Sequence, residues 1–437
     1  MIAWILAIFI APYVSAPLFF ILSDRKIFKR DRKSPYIIEP LQNSLEHNCK
    51  KEDRATADEH IGSIERLLAK SGIPPATKNN RFELFDDGVT AYEKIYEALK
   101  SAECCIDICI YQLKLDSATV PLLECLAKKA SKGVRVRLLL DSIGSYGLYL
   151  RPWRLKGLRE AGVEIAFFMP FLRMPFRNYI NLRNHRKIMI FDNNLLYTGG
   201  VNLTSEYLAP DTSMVGFTDF LCRIEGDAIY YYHQLFLSDW CFATGESISH
   251  PPPIEEDVGN ACIQVAPSGP DMQKDALYET YLAMINAALH EIVIITPYFS
   301  PNSTIMDALR IALHKGVRIT LVAPIHSDHI FSDLARASFL HDLFDEGANV
   351  LLHTGKTLHA KAMIFDRSCA MVGSTNFDSR SLFYNYEINA IIYSEHEIEA
   401  ISNAAERVMK NTIPYRPLRH PLLLMVENFM RTFAPLV

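Results

Sequence analysis

The chain is written twice, and this limits its folds more than any other feature. The segment SKGVRVRLLLD at 131–141 returns as HKGVRITLVAP at 314–324. LREAGVEIAFF at 158–168 parallels HDLFDEGANVLLH at 341–353, and the apolar run ending at Tyr111 parallels the one ending near Tyr298. Matched landmarks keep nearly one separation: 183 residues from Gly133 to Gly316, 185 from Gly162 to Gly347 and 187 from Tyr111 to Tyr298. A period of roughly 180 residues is far beyond any solenoid unit, so a whole domain is duplicated, with a pseudo-two-fold axis between the copies. In the first copy, helical patterns at Ala91 to Ala102 and Thr119 to Ser131 alternate with strand patterns at Cys104 to Tyr111, Val134 to Asp141 and Val163 to Phe168. That alternation predicts an α/β class: two tandem α/β/α sandwich domains, each with a mainly parallel sheet covered on both faces. The predicted domains are 80–245 and 261–413. A linker at 246–260 joins them, within a stretch rich in turn formers, and an amphipathic tail at 414–437 follows.

The first 22 residues carry no charged side chain. As a helix they would be roughly 33 Å long, against a hydrocarbon core of about 30 Å. Arg25, Lys26, Lys29, Arg30, Arg32 and Lys33 follow at once. Positive charge on that side predicts an N-terminal transmembrane helix at 1–22, single-pass in the cell (inner) membrane, with both domains cytoplasmic. Residues 23–79 read as a basic juxtamembrane segment and connector. One short helical pattern there (Ile61, Ile64, Leu67, Leu68) should rest on something larger. The net charge of -5 argues against a nucleic-acid partner held by electrostatics. Nine scattered cysteines show no metal-ligand spacing and are expected to be reduced core thiols.

Within the duplication, polar residues recur where a packed strand has no need of them. NHRKIMIFD places His185, Lys187 and Asp192 in the order His-x-Lys-x4-Asp; LHAKAMIFD places His359, Lys361 and Asp366 at the same spacing. On a strand, His and Lys two apart face the same way and can converge on one phosphate. Asn202 and Asn376 each follow the motif lysine by fifteen residues, and Gly199, Gly200 and Gly373 would let the backbone approach an anion. An imidazole that reacts needs a fixed tautomer, usually set by a carboxylate on its far nitrogen. Asp219 and Glu387 head corresponding strand patterns after the two motifs and are the expected orienting carboxylates. Asp192 and Asp366 lie at an odd offset from their histidines, which points them to the other face as supports. The sequence calls for no metal and no cofactor.

Both motifs resemble the signatures of the phospholipase D superfamily. The likeness extends to bacterial-type cardiolipin synthases through LFDDGVTAYEKIYEAL, VRVRLLLDSIGS, RIEGDAI, QVAPSGPD, ITPYFSP, VGSTNFDSRSL and NYEIN. Two departures stand out: one N-terminal apolar helix where such enzymes often have two, and FTD at 217–219 where they usually have Trp-Arg-Asp. The resemblance implies two tandem phospholipase D-like domains and phosphatidyl transfer that forms cardiolipin from phosphatidylglycerol and a second lipid. It implies a covalent phosphohistidine on His185, with His359 as general acid and base, while Lys187, Lys361, Asn202 and Asn376 neutralise the phosphate. Phospholipase D-type hydrolysis, another phosphatidyl transfer and a nuclease are the alternatives. Phospholipid substrates and a membrane are the expected partners. The segment 167–187 interleaves Phe167, Phe168, Phe171, Phe176 and Tyr179 with Arg173, Arg177 and Arg183, a composition suited to anionic headgroups.

Overall fold

The structure is a computed structural model. It describes residues 59–172, 181–251, 258–272 and 274–432, together with six of the first fifteen. Most of the expected membrane segment therefore lies outside the described residues. Among those residues no helix is long and apolar enough to cross a membrane.

The first half contributes seven strands: β1 (Thr77–Phe85), β2 (Cys105–Ile110), β3 (Arg135–Asp141), β4 (Glu164–Phe168), β5 (Ile188–Phe191), β6 (Leu195–Gly199) and β7 (Leu221–Gly226). The second repeats them as β8 (Ala261–Ser268), β9 (Glu291–Ile295), β10 (Arg318–Pro324), β11 (Asn349–His353), β12 (Ala362–Phe365), β13 (Cys369–Gly373) and β14 (Glu387–Ile392), with β15 (Thr412–Pro414) added at the edge. All belong to one sheet, ordered β15-β11-β10-β9-β12-β13-β14-β8-β1-β7-β6-β5-β2-β3-β4. The order is a palindrome about the β8–β1 seam, where Asn80 pairs with Ala261 in antiparallel register. The two tandem domains thus share a continuous sheet.

The expectation of a mainly parallel sheet needs correction. Only β2, β3 and β4, and their counterparts β9, β10 and β11, run parallel; the remaining pairings are antiparallel. The reason lies in the motifs. After β5 the chain reverses at Asp192 and Asn193, both left-handed (φ 50 and 63), and after β12 it reverses at Asp366 and Arg367 (φ 51 and 52). Two consecutive left-handed residues make a hairpin turn, and a parallel crossover needs a dozen or more residues. The motif aspartates build these corners. Asp192 accepts hydrogen bonds from the amides of Glu103, Cys104 and Cys105 at 2.7–2.9 Å. Asp366 accepts those of Leu289, His290 and Glu291 at 2.7–2.8 Å. Each carboxylate ties its hairpin to the first residues of the neighbouring central strand.

One face of the sheet carries a single apolar core spanning both halves, roofed by helices Ala228–Thr244 and Glu395–Lys410. The other face carries two cores, one per half. Ile64 and Leu68 of helix Glu59–Lys70 pack into the second-half core with Leu277 and Tyr281, so the connector's helical pattern does rest on a larger body. The tail helix Pro421–Arg431 docks on helix Ile330–Asp345, through His341 to Glu427 at 3.1 Å and Arg431 over the Phe339 ring. Seven cysteines are free as expected, but Cys262 on β8 is disulfide-bonded and corrects the expectation of nine reduced thiols.

Candidate active site

Each His-Lys pair lies in extended chain just before its motif strand, because the backbone there leaves its own half to pair with the other. The His185 amide donates to the carbonyl of Tyr386, and the Tyr386 amide donates to the carbonyl of Arg183. Symmetrically, Thr357–Leu358 pairs with Phe217–Thr218, and the His359 amide donates to the carbonyl of Thr218. These exchanges bring each histidine to the other half's carboxylate. Nδ1 of His359 lies 2.7 Å from Asp219 Oδ2, and Nδ1 of His185 lies 3.5 Å from Glu387 Oε1. With Nδ1 directed at a carboxylate, Nε2 is the nitrogen left for chemistry. The sequence singled out both carboxylates but not this crosswise pairing.

The two lysines are buried beside the rings. Lys187 Nζ donates to the His185 carbonyl at 2.8 Å and sits 5.5 Å above the Tyr111 ring. Lys361 Nζ donates to the His359 carbonyl and lies 2.6 Å from Nδ1 and 3.1 Å from Nε2 of that ring. Asn202 Oδ1 accepts from the Gln112 amide at 3.3 Å. Asn376 Nδ2 donates to Ser381 at 3.3 Å, while its buried Oδ1 has no partner among the described residues. Tyr111 tilts against the His185 ring at 4.0 Å, and Tyr207, Phe217 and Tyr298 pack edge-on against His359.

Burial first, then the neighbouring lysines, disfavours the imidazolium of both histidines. His359 is pushed down to about 4, and His185 well below its ordinary value. Burial lowers Lys361 to about 8, with Lys187 adding repulsion and Asp219 opposing it. Burial raises Glu387 to about 7, against the pull of Lys187 and of Ser374, which donates to Glu387 Oε2 at 2.5 Å. The site therefore offers neutral imidazoles beside cations, with 19% of the His185 side chain and 10% of the His359 side chain exposed.

Two expectations change. A Cβ on Gly200 would lie 2.1 Å from Asp219 Oδ1, and one on Gly199 or Gly373 would lie 2.3 Å from a neighbouring strand's carbonyl. These glycines make room for the adjacent strand and its carboxylate instead of for an anion. Within 167–187, Phe168 belongs to the core, and Arg183 is buried with Nη2 3.1 Å from Asp141 Oδ2, so neither faces a headgroup; residues 173–180 lie outside the described residues. The motif aspartates are held by backbone amides at the far end of their strands. Sequence reasoning missed Ser374, Tyr298 as a wall of the site, and Arg380, whose charge bears on His185. Tyr111 and Tyr298 had been noticed only as markers of the repeat, although tyrosine at equivalent strand ends was itself a signal. Among the described residues, no group of His, Cys, Asp and Glu forms a metal cluster.

This arrangement can be set beside known proteins. The family model described as cardiolipin synthase, phospholipase D-like domain, matches residues 95–240 and 281–409, once in each half. A cardiolipin synthase of Oceanobacillus iheyensis is 33% identical over 92% of this chain and 85% of its own length. The major cardiolipin synthase of Bacillus subtilis is 32% identical over 90% of this chain and 83% of its own. A phosphatidylserine synthase of Haemophilus influenzae has the same fold (TM-score 0.64, 12% identity, covering 86% of this chain and 98% of that one). With the family's domain matched in both halves and these relatives aligned along nearly its whole length, the chain belongs to the cardiolipin synthases of the phospholipase D superfamily.

Proposed function

We propose that the enzyme transfers a phosphatidyl group from phosphatidylglycerol to the hydroxyl of a second phosphatidylglycerol, releasing glycerol and forming cardiolipin. The observation that carries the residue roles is the unequal pair of carboxylate contacts, 2.7 Å at His359 and 3.5 Å at His185. The closer carboxylate better stabilises a charged imidazole, which suits His359 as the proton carrier. His185, held neutral, suits the nucleophile. In the first step His185 Nε2 attacks phosphorus, the bond from phosphorus to the glycerol oxygen breaks, and His359 gives its proton to that oxygen. In the second, His359 takes the proton of the incoming hydroxyl, whose oxygen displaces His185 and re-forms a phosphodiester. Lys187, Lys361, Asn202 and Asn376 neutralise and hold the phosphoryl oxygens. The anionic substrate offsets the lysine charge that, together with the larger effect of burial, keeps His359 unprotonated in the empty site. Asp219 and Glu387 hold tautomer and orientation, while Asp192 and Asp366 support the strands from outside the pocket. Residues 1–22 anchor the chain in the inner membrane with both domains on the cytoplasmic side.

Incubation of the purified full chain with phosphatidylglycerol labelled in its headgroup and acyl chains tests this reading. Cardiolipin and free glycerol in equal amounts are expected, and phosphatidic acid as the sole lipid product would replace transfer with hydrolysis. A second expectation concerns pH. Lys361 loses its charge as pH rises through about 8, so kcat/KM should fall on that alkaline side. Lys361→Arg keeps its charge at any such pH and should abolish that limb while lowering the plateau. An unchanged alkaline limb in the arginine variant would remove Lys361 as its source.

A further inference from the structure

The loops that follow β3 and β10 occupy equivalent places in the two halves, and both begin on the wall of the site. In the first half, Ser145 Oγ donates to the carbonyl of Tyr111, the residue stacked on His185, and donation from the Leu113 amide to Ser145 fixes the turn. In the second half, Asp328 accepts the hydroxyl of Tyr298, which packs edge-on against His359. Within a few residues of these contacts each loop turns outward and presents large apolar side chains to solvent. Tyr146, Leu150 and Trp153 stand out on one side, and Ile330 and Phe331 on the other; Trp153 is 66% exposed and Phe331 62%. Single exposed apolar residues are ordinary, but two groups at symmetry-equivalent rims of one site are not.

At the first loop, charge indicates what covers the apolar group. Around Trp153 lie Arg151, Arg154, Lys156 and Arg159, all exposed; Arg151 and Arg154 have no ion-pair partner among the described residues. Aromatic and aliphatic side chains beside free cations match the boundary between headgroups and acyl chains of an anionic monolayer. A protein partner would have to straddle the opening and close it, whereas a lipid surface is itself the source of substrate.

We propose that these two loops are lips that seat the enzyme on an anionic lipid monolayer, with the pseudo-two-fold axis along the membrane normal and the His185–His359 pocket facing the lipid between them. The proposal rests on the lipid-transfer reading and adds to it an orientation independent of the N-terminal segment. A phospholipid headgroup then rises into the pocket while its acyl chains stay in the monolayer, so a diacyl substrate need not leave the membrane.

The test uses the full chain and phosphatidylglycerol–phosphatidylcholine vesicles carrying brominated acyl chains. Trp153→Phe should remove a bromolipid-quenched component from the tryptophan fluorescence. Trp153→Ser/Phe331→Ser should lower turnover on vesicles by about tenfold or more, while turnover of monomeric short-chain phosphatidylglycerol stays at the wild-type rate. Three results would each overturn the proposal: equal quenching in wild type and Trp153→Phe, equal losses on vesicles and monomers, or a change in oligomeric state caused by the double variant. Failure of the transfer reading is distinguishable, because it would change the products and leave the quenching difference in place.

Discussion

Alanine at His185 should lower phosphatidyl transfer by about 10⁴-fold or more, because in the proposed mechanism both half-reactions pass through that nitrogen. Alanine at His359 should cost a similar factor with phosphatidylglycerol, whose glycerol leaves as a poor alkoxide. The two variants separate when the leaving group no longer needs a proton. With a nitrophenyl phosphodiester, His359→Ala should still release one equivalent of nitrophenolate in a burst and leave phosphorus attached to the protein. His185→Ala should show neither burst nor adduct. Rapid-mixing absorbance and intact-protein mass would check this; a burst in His185→Ala but not in His359→Ala would exchange the two roles. The contrast bears on the proposed roles, in which His359, 2.7 Å from Asp219, is the proton carrier.

The second large effect is on stability and arises at the residue between the first histidine and lysine. Arg186 points away from the phosphate pocket. Its Nη1 donates to both oxygens of Asp239 at 2.8 and 2.9 Å, its Nη2 to the Ser268 carbonyl at 3.0 Å and its Nε to the Glu387 carbonyl at 3.2 Å. The last two acceptors belong to the second half, so this side chain fastens the halves beneath the site. Arg186→Ala leaves Asp239 buried without its cation and two carbonyls without a donor, and a loss of roughly 3–5 kcal/mol is expected. Denaturant unfolding of the full chain, followed by fluorescence, measures it. Arg186→Ala/Asp239→Ala removes the stranded charge and should recover part of the loss; equal stability of single and double variants would show that the pair is not what binds the seam. The second motif has Ala360 at the matching position, so the same substitution there has no counterpart to break.

Reading by repetition reached far into this molecule, because duplication places both motifs, their asparagines and the orienting acids twice. The duplicated domain, the strands at Cys105–Ile110 and Arg135–Asp141, and the two motifs all follow from matching one half to the other, whereas the palindromic strand order is seen only in the fold. The parallel bias failed where Asp192-Asn193 and Asp366-Arg367 were read only as motif ends. Their left-handed turns reverse the chain, and a three-residue loop between strand ends can only make a hairpin. Asp219 and Glu387 were visible as acids heading strands, but partnership between halves is a matter of three-dimensional register. Nothing in a linear pattern says that Glu387 meets His185 and not His359. The glycines were misjudged for a related reason: whether a missing Cβ admits a ligand or a neighbouring strand depends on what packs there, and here it is Asp219 and the adjacent backbone.

The crosswise carboxylates also set a clock on the ribosome. Strands β1 to β7 are contiguous in sequence through Gly226 and can assemble as soon as they emerge, since domains fold as units during synthesis. His185 is then already in the chain, but Glu387 is still 161 residues from translation when Gly226 is added. Until that carboxylate arrives, nothing fixes the imidazole's tautomer, and neither the second lysine nor the proton carrier exists. On the roles proposed above, a nascent chain is thus inert until its second half has been made.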